Sequence, residues 1–258
     1  MRVALFVPCF VDQLFPNAAI SMVTVLERLG IEVHYPMEQT CCGQPAFNTG
    51  YWDEARRVAT RYIEIFDKAN CDAIVAPSGS CTSMVRVFYR ELFGVGHGVE
   101  KSGVRSQESE ALSPEFLKRL ARVSENTFEF SEFLTKKLKV ADVGARFNAK
   151  VTFHDACHLL RELRCKDEPR QLLRAVKGLQ LVEMKECETC CGFGGTFSAK
   201  FPSISTAMDE VKVNSIKETG AEYVVSTDSS CLLQIDGYLK RQNIPIKSIS
   251  LAEVLASQ

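Results

Sequence analysis

Short runs of Val, Ile, Leu and Phe alternate along this chain with longer stretches in which apolar positions recur at helical spacing. In the first half the apolar runs fall at 2–8, 31–35 and 73–77, and the helical patterns at 17–29, 51–69 and 81–93. In the second half the runs fall at about 150–155, 179–184 and 222–226, and the helical patterns at 167–177, 203–219 and 231–242. Strand-length runs alternating with helix-length segments mark βαβ units, and runs this apolar suit strands covered on both faces. The pattern predicts an α/β protein built on parallel sheet. One stretch breaks the rhythm: 94–114 is polar and glycine-containing, without apolar period, and reads as a surface loop or as a lid or docking element.

The alternation is a duplication. Val3-Ala-Leu-Phe-Val-Pro-Cys9 returns as Val151-Thr-Phe-His-Asp-Ala-Cys157, and Thr40-Cys41-Cys42-Gly43 returns as Thr189-Cys190-Cys191-Gly192. Ala73-Ile-Val-Ala-Pro-Ser-Gly-Ser-Cys81 returns as Tyr223-Val-Val-Ser-Thr-Asp-Ser-Ser-Cys231. The spacing is kept to one residue: Cys9 and Cys41 are 32 apart against 33 for Cys157 and Cys190, and Cys42 and Cys81 are 39 apart against 40 for Cys191 and Cys231. A weaker match, Phe128–Leu134 against Ile249–Leu255, closes each half. Internal similarity at this period places two pseudo-symmetric halves at 1–140 and 141–258, each a parallel-sheet βαβ domain.

Composition narrows the chemistry. A chain of 258 residues needs no covalent staples, so its eleven cysteines are available for other work. The N-terminus reads as a buried strand rather than a signal peptide, and no segment offers the roughly 20 consecutive apolar residues of a membrane span. Cytoplasmic thiols are then the expectation, and metal binding or redox chemistry is their usual purpose. A net charge of −1 gives no reason to expect nucleic acid.

In open parallel sheets the residues leaving the carboxyl ends of the strands converge on one edge. Cys9, Cys41, Cys42 and Cys81 all follow strands of the first half, and Cys157, Cys190, Cys191 and Cys231 those of the second. Four crowded thiolates repel one another and are favourable mainly around a cation, which makes each quartet a candidate metal site. Iron–sulfur clusters and zinc both take four cysteines, so ligand type leaves the two open. Gly43 and Gly192, next to each pair, allow a tight turn and amide donors to sulfur, and Cys191-Gly-Phe-Gly-Gly195 extends this into an amide-rich loop. His154 and His158 flank Cys157, as hydrogen-bond donors to sulfur, ligands, proton carriers, or plain strand-end histidines bonded to backbone. Asp155, Arg161 and Arg170 are weaker candidates for binding a carboxylate. Cys71 and Cys165 have no repeat partner and read as core or surface thiols. Cys187 forms a C-x-x-C with Cys190, which opens a ligand or redox role.

The pattern Cys-x31-Cys-Cys-Gly-x37-Cys followed by Cys-x32-Cys-Cys-Gly-x38-Cys resembles the duplicated cysteine-rich CCG domain. It is similar to the cysteine-rich subunit of heterodisulfide reductase and to the iron–sulfur subunit of glycolate oxidase. The resemblance is strongest to the lactate utilization protein A family, through His154-Asp-Ala-Cys-His-Leu-Leu-Arg161, Glu168-Pro-Arg170, Cys190-Cys-Gly-Phe-Gly-Gly-Thr-Phe197 and Ser230-Cys-Leu-Leu233. It implies a cytoplasmic iron–sulfur protein, with a [4Fe-4S] cluster in each half, that oxidises L-lactate to pyruvate together with two other lactate-utilization proteins. One of those would be an iron–sulfur electron-transfer protein. The five-cysteine form of the motif ends in Cys-x-x-Cys, whereas Ser78 and Asp228 occupy the first of those positions here. A four-cysteine cubane, a zinc ion, or Asp228 as a ligand are compatible with that departure. No flavin or nicotinamide motif is present, so hydroxy-acid oxidation is expected to need a partner. Two other functions fit the same residues: a heterodisulfide-reductase-like thiol–disulfide reductase subunit, and a zinc-stabilised scaffold.

Overall fold

The computed structural model describes residues 1–95 and 112–258, so the polar stretch of the first half lies, over 96–111, outside the described residues. Among the described residues, eight strands form two four-stranded sheets, parallel throughout. The first contains β1 (Arg2–Leu5), β2 (Glu32–His34), β3 (Ala73–Ala76) and β4 (Thr127–Glu129), in the order β2-β1-β3-β4. The second contains β5 (Lys150–Phe153), β6 (Gln180–Leu181), β7 (Tyr223–Ser226) and β8 (Lys247–Ser250), in the order β6-β5-β7-β8. The register repeats with the sequence. Val3 lies opposite Val33 and Ala73, and its counterpart Val151 opposite Leu181 and Tyr223.

The expected strands and helices are present, with ends shifted by up to a few residues. The helices Pro16–Arg28, Trp52–Lys68, Asp167–Ala175, Pro202–Glu218 and Ser229–Arg241 occupy the periodic segments. Pro16 and Pro202 start their helices where a missing amide hydrogen costs nothing. The fourth strand of each sheet was not expected. β4 and β8 are three- and four-residue edge strands that run straight into helix, and their apolar residues blend into the helical period. Their junctions are well capped: Glu129 accepts from the amides of Ser131 and Glu132, and Ser250 and Glu253 form a reciprocal capping box.

Burial falls into three clusters. One lies behind the first sheet, around Phe6, Tyr62, Ile63, Ile74 and Tyr89, and one behind the second, around Leu159, Val213, Ile216, Val224 and Ile235. The third joins the halves, with Val3, Leu26 and Phe133 packed in one continuous core with Phe153, Leu173 and Leu255. It arises by exchange. The helical segment after β4 (130–137) packs on helix Asp167–Ala175, and the chain's last helix, Leu251–Ala256, packs on helix Pro16–Arg28. Arg28 fastens the second contact by donating to the carbonyls of Val143, Leu255 and Ala256, and Lys136 pairs with Glu168 at 3.0 Å across the first.

Candidate metal centre

In each sheet the chain moves from the first strand to one neighbour and then crosses to the other, so the connections leaving β1 and β3, or β5 and β7, diverge. A crevice opens at such a switch point, outside the carboxyl ends of the strands. Cys9 begins the helix after β1 and Cys81 sits in the helix after β3 (Gly79–Ser83), on the two sides of that crevice. Cys157 and Cys231 stand in the same places after β5 and β7. The pairs Cys41-Cys42 and Cys190-Cys191 reach in from loops.

The structure brings each quartet together. Cys9 Sγ is 3.6 Å from Cys41 Sγ, and Cys42 Sγ is 3.4 Å from Cys81 Sγ. In the second half the thiols interact in the same succession, Cys157 with Cys190, Cys190 with Cys191, and Cys191 with Cys231. The two quartets also meet: all eight cysteines line one cavity of about 100 Å³ between the halves. Phe10 and Phe193 close over it edge to face, with centroids 5.4 Å apart.

Each quartet is electrostatically graded. The thiols of Cys42 and Cys9, with the amide of Gly43, hold Cys41 as a thiolate down to about 3. The thiols of Cys157 and Cys191, with the amide of Gly192, hold Cys190 down to about 2. Cys9, Cys42, Cys157 and Cys191 are pushed up by the thiolate they serve and by burial. Each amide-to-sulfur distance is 3.4 Å. The two glycines are required by conformation and by space. Gly43 has φ 85° and Gly192 has φ 87°; a Cβ would stand 3.3 Å from the Ala55 carbonyl oxygen at one and 2.6 Å from the Ser205 carbonyl oxygen at the other.

Ser78 and Asp228 both line the cavity, as helix caps. Ser78 Oγ accepts from the amide of Cys81. One Asp228 oxygen accepts from the Ser230 amide and hydroxyl, and the other from the Ser80 amide at 2.8 Å and from Ser78 Oγ. Asp228 therefore ties the halves together beside the sulfurs. Nearby, Gly79 lets helix Cys157–Arg161 approach, since a Cβ there would meet Leu159 Cβ at 2.7 Å.

The two histidines differ. His158 lines the cavity, with Nδ1 3.1 Å from Glu162 and Nε2 3.5 Å from Gln44 Nε2. His154 is fully buried, and neither ring nitrogen has a hydrogen-bond partner. Burial and the nearby Lys212 ammonium hold its imidazole neutral, down to about 3. One of its nitrogens and the sulfurs of Cys191 and Cys231 lie within 4.8 Å of one another.

The remaining candidates lie elsewhere. Arg170 is not placed to bind a carboxylate substrate. Its guanidinium grips Asp155 with two 2.8 Å bonds and Glu183 with bonds of 2.7 and 2.9 Å, and Arg170 and Asp155 are both buried. Cys165 packs in the second core with Lys136 Nζ at 3.3 Å. Cys71 lies near Arg2 and Asp72. Cys187 lies outside the cavity lining, beside Asp155. The sequence reading missed Gln44, Phe10 and Phe193 in the lining, and the buried pair Asp209 and Lys212 behind the second quartet. The signal for that pair was two charged residues at the helical spacing that leads on to Val213 and Ile216.

The cysteine-rich domain family CCG matches twice, over residues 3–86 and 151–236. Lactate utilization protein A of Exiguobacterium sp. is 44% identical over 98% of this chain and 96% of its own length. That of Geobacillus sp. is 42% identical over the whole of both chains. The chain belongs to the lactate utilization protein A family. Its two CCG matches span the first three strands of each sheet and all of each quartet, and leave β4 and β8 outside. Among solved structures, a hypothetical protein from Helicobacter pylori aligns with a TM-score of 0.58 at 10% identity, covering 98% of this chain and 48% of that one, a likeness of fold alone. Among the described residues, no helix is long and apolar enough to cross a membrane.

Proposed function

We propose that this chain is the iron–sulfur electron-transfer subunit of a multi-protein assembly oxidising L-lactate to pyruvate in the cytoplasm. Cys9, Cys41, Cys42 and Cys81 would hold one centre, and Cys157, Cys190, Cys191 and Cys231 the other. The reading rests on one observation above all: two sulfur quartets, equivalent by repeat, open onto a single cavity. The substrate comes from the names of the relatives. When bound, an iron–sulfur cluster accepts and passes on single electrons.

The residues suit such a group. Each quartet already holds one stabilised thiolate, Gly43 and Gly192 aim amides at sulfur, and Cys42, Cys81, Cys191 and Cys231 are shielded from water. Phe10 and Phe193 add apolar rings to the lining. Oxidation of lactate releases two electrons and two protons. Two centres on one cavity could take the electrons one each, and His158, with Glu162 at its Nδ1, is the imidazole in the lining of that cavity. Two other lactate-utilization proteins, one of them an iron–sulfur carrier, would receive the electrons.

Zinc is the second reading, and the sulfur spacing favours it. A Zn–S bond of about 2.3 Å gives a tetrahedral edge of about 3.8 Å, close to the 3.4 and 3.6 Å seen here. A cubane spreads its four thiolates wider, so those of this chain would have to swing outward. Anaerobic purification with iron, sulfide and zinc analysis, beside visible and paramagnetic-resonance spectra, separates the readings. Iron and sulfide in both halves, with Cys42→Ser and Cys191→Ser each removing one signal, supports the clusters. Stoichiometric zinc in a colourless protein refutes them, and disulfide turnover by the reconstituted chain alone would move the function to a thiol–disulfide reductase.

A further inference from the structure

The duplication supplies an internal control for every residue near the sulfurs, and at one position the halves differ in chemistry. Phe6 donates its backbone amide to the Val75 carbonyl at 2.9 Å, and His154 donates its amide to the Val225 carbonyl at 2.9 Å. The two residues are thus structural equivalents, each leaving the central strand of its sheet. Phe6 sits in an aromatic cluster, 4.8 Å from Tyr62 and 5.6 Å from Phe66. Lys212 replaces Tyr62 at the matching place in the long helix, and it turns its ammonium to the carbonyls of Glu186 and Cys187. The fold accepts an apolar ring at this site, so it does not itself demand an imidazole.

His154 is nonetheless placed there fully buried, with both nitrogens unpartnered. An unsatisfied buried polar group is destabilising. Such a group is retained where something else satisfies it, and the atoms facing it are the sulfurs of Cys191 and Cys231, with one of its nitrogens and both sulfurs mutually within 4.8 Å. The Cys187 carbonyl is close enough to act on the ring, though not placed as an acceptor. Ligating histidines commonly turn their second nitrogen to such a carbonyl, which fixes the tautomer.

We infer that His154 is a nitrogen ligand of the second-half centre, beside Cys191 and Cys231, and that the two centres of this chain are therefore chemically inequivalent. The inference rests on the reading that the quartets hold metal. The first-half centre, with Phe6 in that place, is all-sulfur.

The test is pulsed paramagnetic resonance of the chain reconstituted anaerobically with iron and sulfide and then reduced. The wild type should show coupling from a directly bonded nitrogen, and growth on 15N-histidine should convert it to the 15N pattern without any mutation. The coupling should survive Cys42→Ser and His158→Gln, and disappear in His154→Gln while iron stays bound in both halves. Iron-loaded halves with no histidine nitrogen coupling, or a coupling that persists in His154→Gln, overturn the assignment. A protein that takes up no metal in either half overturns the metal reading itself, and the assignment with it.

Discussion

The repeated glycines allow one substitution to be run twice in a single molecule. Gly43→Ala and Gly192→Ala each place an L-residue in left-handed backbone, at φ 85° and 87°, which costs about 1 kcal/mol apiece. The space around them differs. At Gly43 the new Cβ lies 3.3 Å from the Ala55 carbonyl oxygen and 3.6 Å from Val58, which a few tenths of an ångström of movement relieves. At Gly192 it lies 2.6 Å from the Ser205 carbonyl oxygen and 3.2 Å from Met208 Cβ. The Ser205 backbone is held, because the Ser205 hydroxyl bonds the Gly192 carbonyl at 2.8 Å and receives Gln234 at 3.0 Å. Overpacking of this kind costs about 1–3 kcal/mol. We expect Gly43→Ala to lose about 1 kcal/mol and Gly192→Ala about 3 kcal/mol. Urea unfolding under anaerobic conditions, followed by circular dichroism, should show the Gly192→Ala midpoint roughly 1 M below that of Gly43→Ala at a slope of about 2 kcal/mol per molar. Equal midpoints, or the reverse order, would refute the claim that backbone contact behind the sulfur pair is tighter in the second half.

Arg170→Ala should destabilise the chain by about 3–5 kcal/mol by stranding the buried Asp155 carboxylate; a variant that folds normally but loses affinity for lactate would restore Arg170 as a substrate group. Asp228→Ala should cost about 2–4 kcal/mol, through a lost cap and an unpaired Ser80 amide, and Asp228→Asn less, as read by thermal unfolding; equal losses would refute the capping role and leave the charge alone as the cause. Burial raises Glu129 to about 8, opposed by hydrogen bonds from Ser131 and Glu132. Because the folded state keeps this proton after the unfolded chain has lost it, the contribution is full below the ordinary glutamate range and falls by about 1.4 kcal/mol per pH unit up to about 8. Glu129→Gln, whose amide oxygen can still cap, should flatten that decline in stability measured from about pH 5 to 8; an unchanged pH profile would rule Glu129 out as its source.

Much of this was written locally and could be read. The repeat of Cys9, Cys41, Cys42 and Cys81 fixed which sulfurs are equivalent, and the strand–helix alternation implied that they leave one edge of a sheet. β4 and β8 escaped because an edge strand of three or four residues carries too few positions to show a period before helix begins. Asp228 resembled a ligand, since a carboxylate where a cysteine stands in related motifs suggests one. Its role as a cap reaching Ser80 depends on two helix starts meeting across the halves, which no local pattern records. Arg170 was misread for a similar reason: by sequence it looks free to bind a carboxylate substrate, and only the fold brings Asp155 and Glu183 against it. The unpartnered state of His154 is likewise a property of its surroundings.

That the quartets face each other follows from how the cores are joined. If each half closed its own sheet with its own last helix, two independent domains could sit at any angle and the cysteine edges need not meet. Here the segment after β4 covers helix Asp167–Ala175 of the second half, and the segment after β8 covers helix Pro16–Arg28 of the first. The exchange is reciprocal, so it relates the halves by approximate two-fold symmetry and fixes their orientation through a buried apolar core rather than a polar interface. On that axis the carboxyl edges of both sheets point inward, and the Asp228 bridge and the Phe10–Phe193 contact close what remains. Neither half then has a complete core without the other. A single copy of the unit would expose Leu26 and Val25, or Leu172 and Leu173, to water. The duplication thus does more than provide two sites, because it makes the shared cavity a condition of folding.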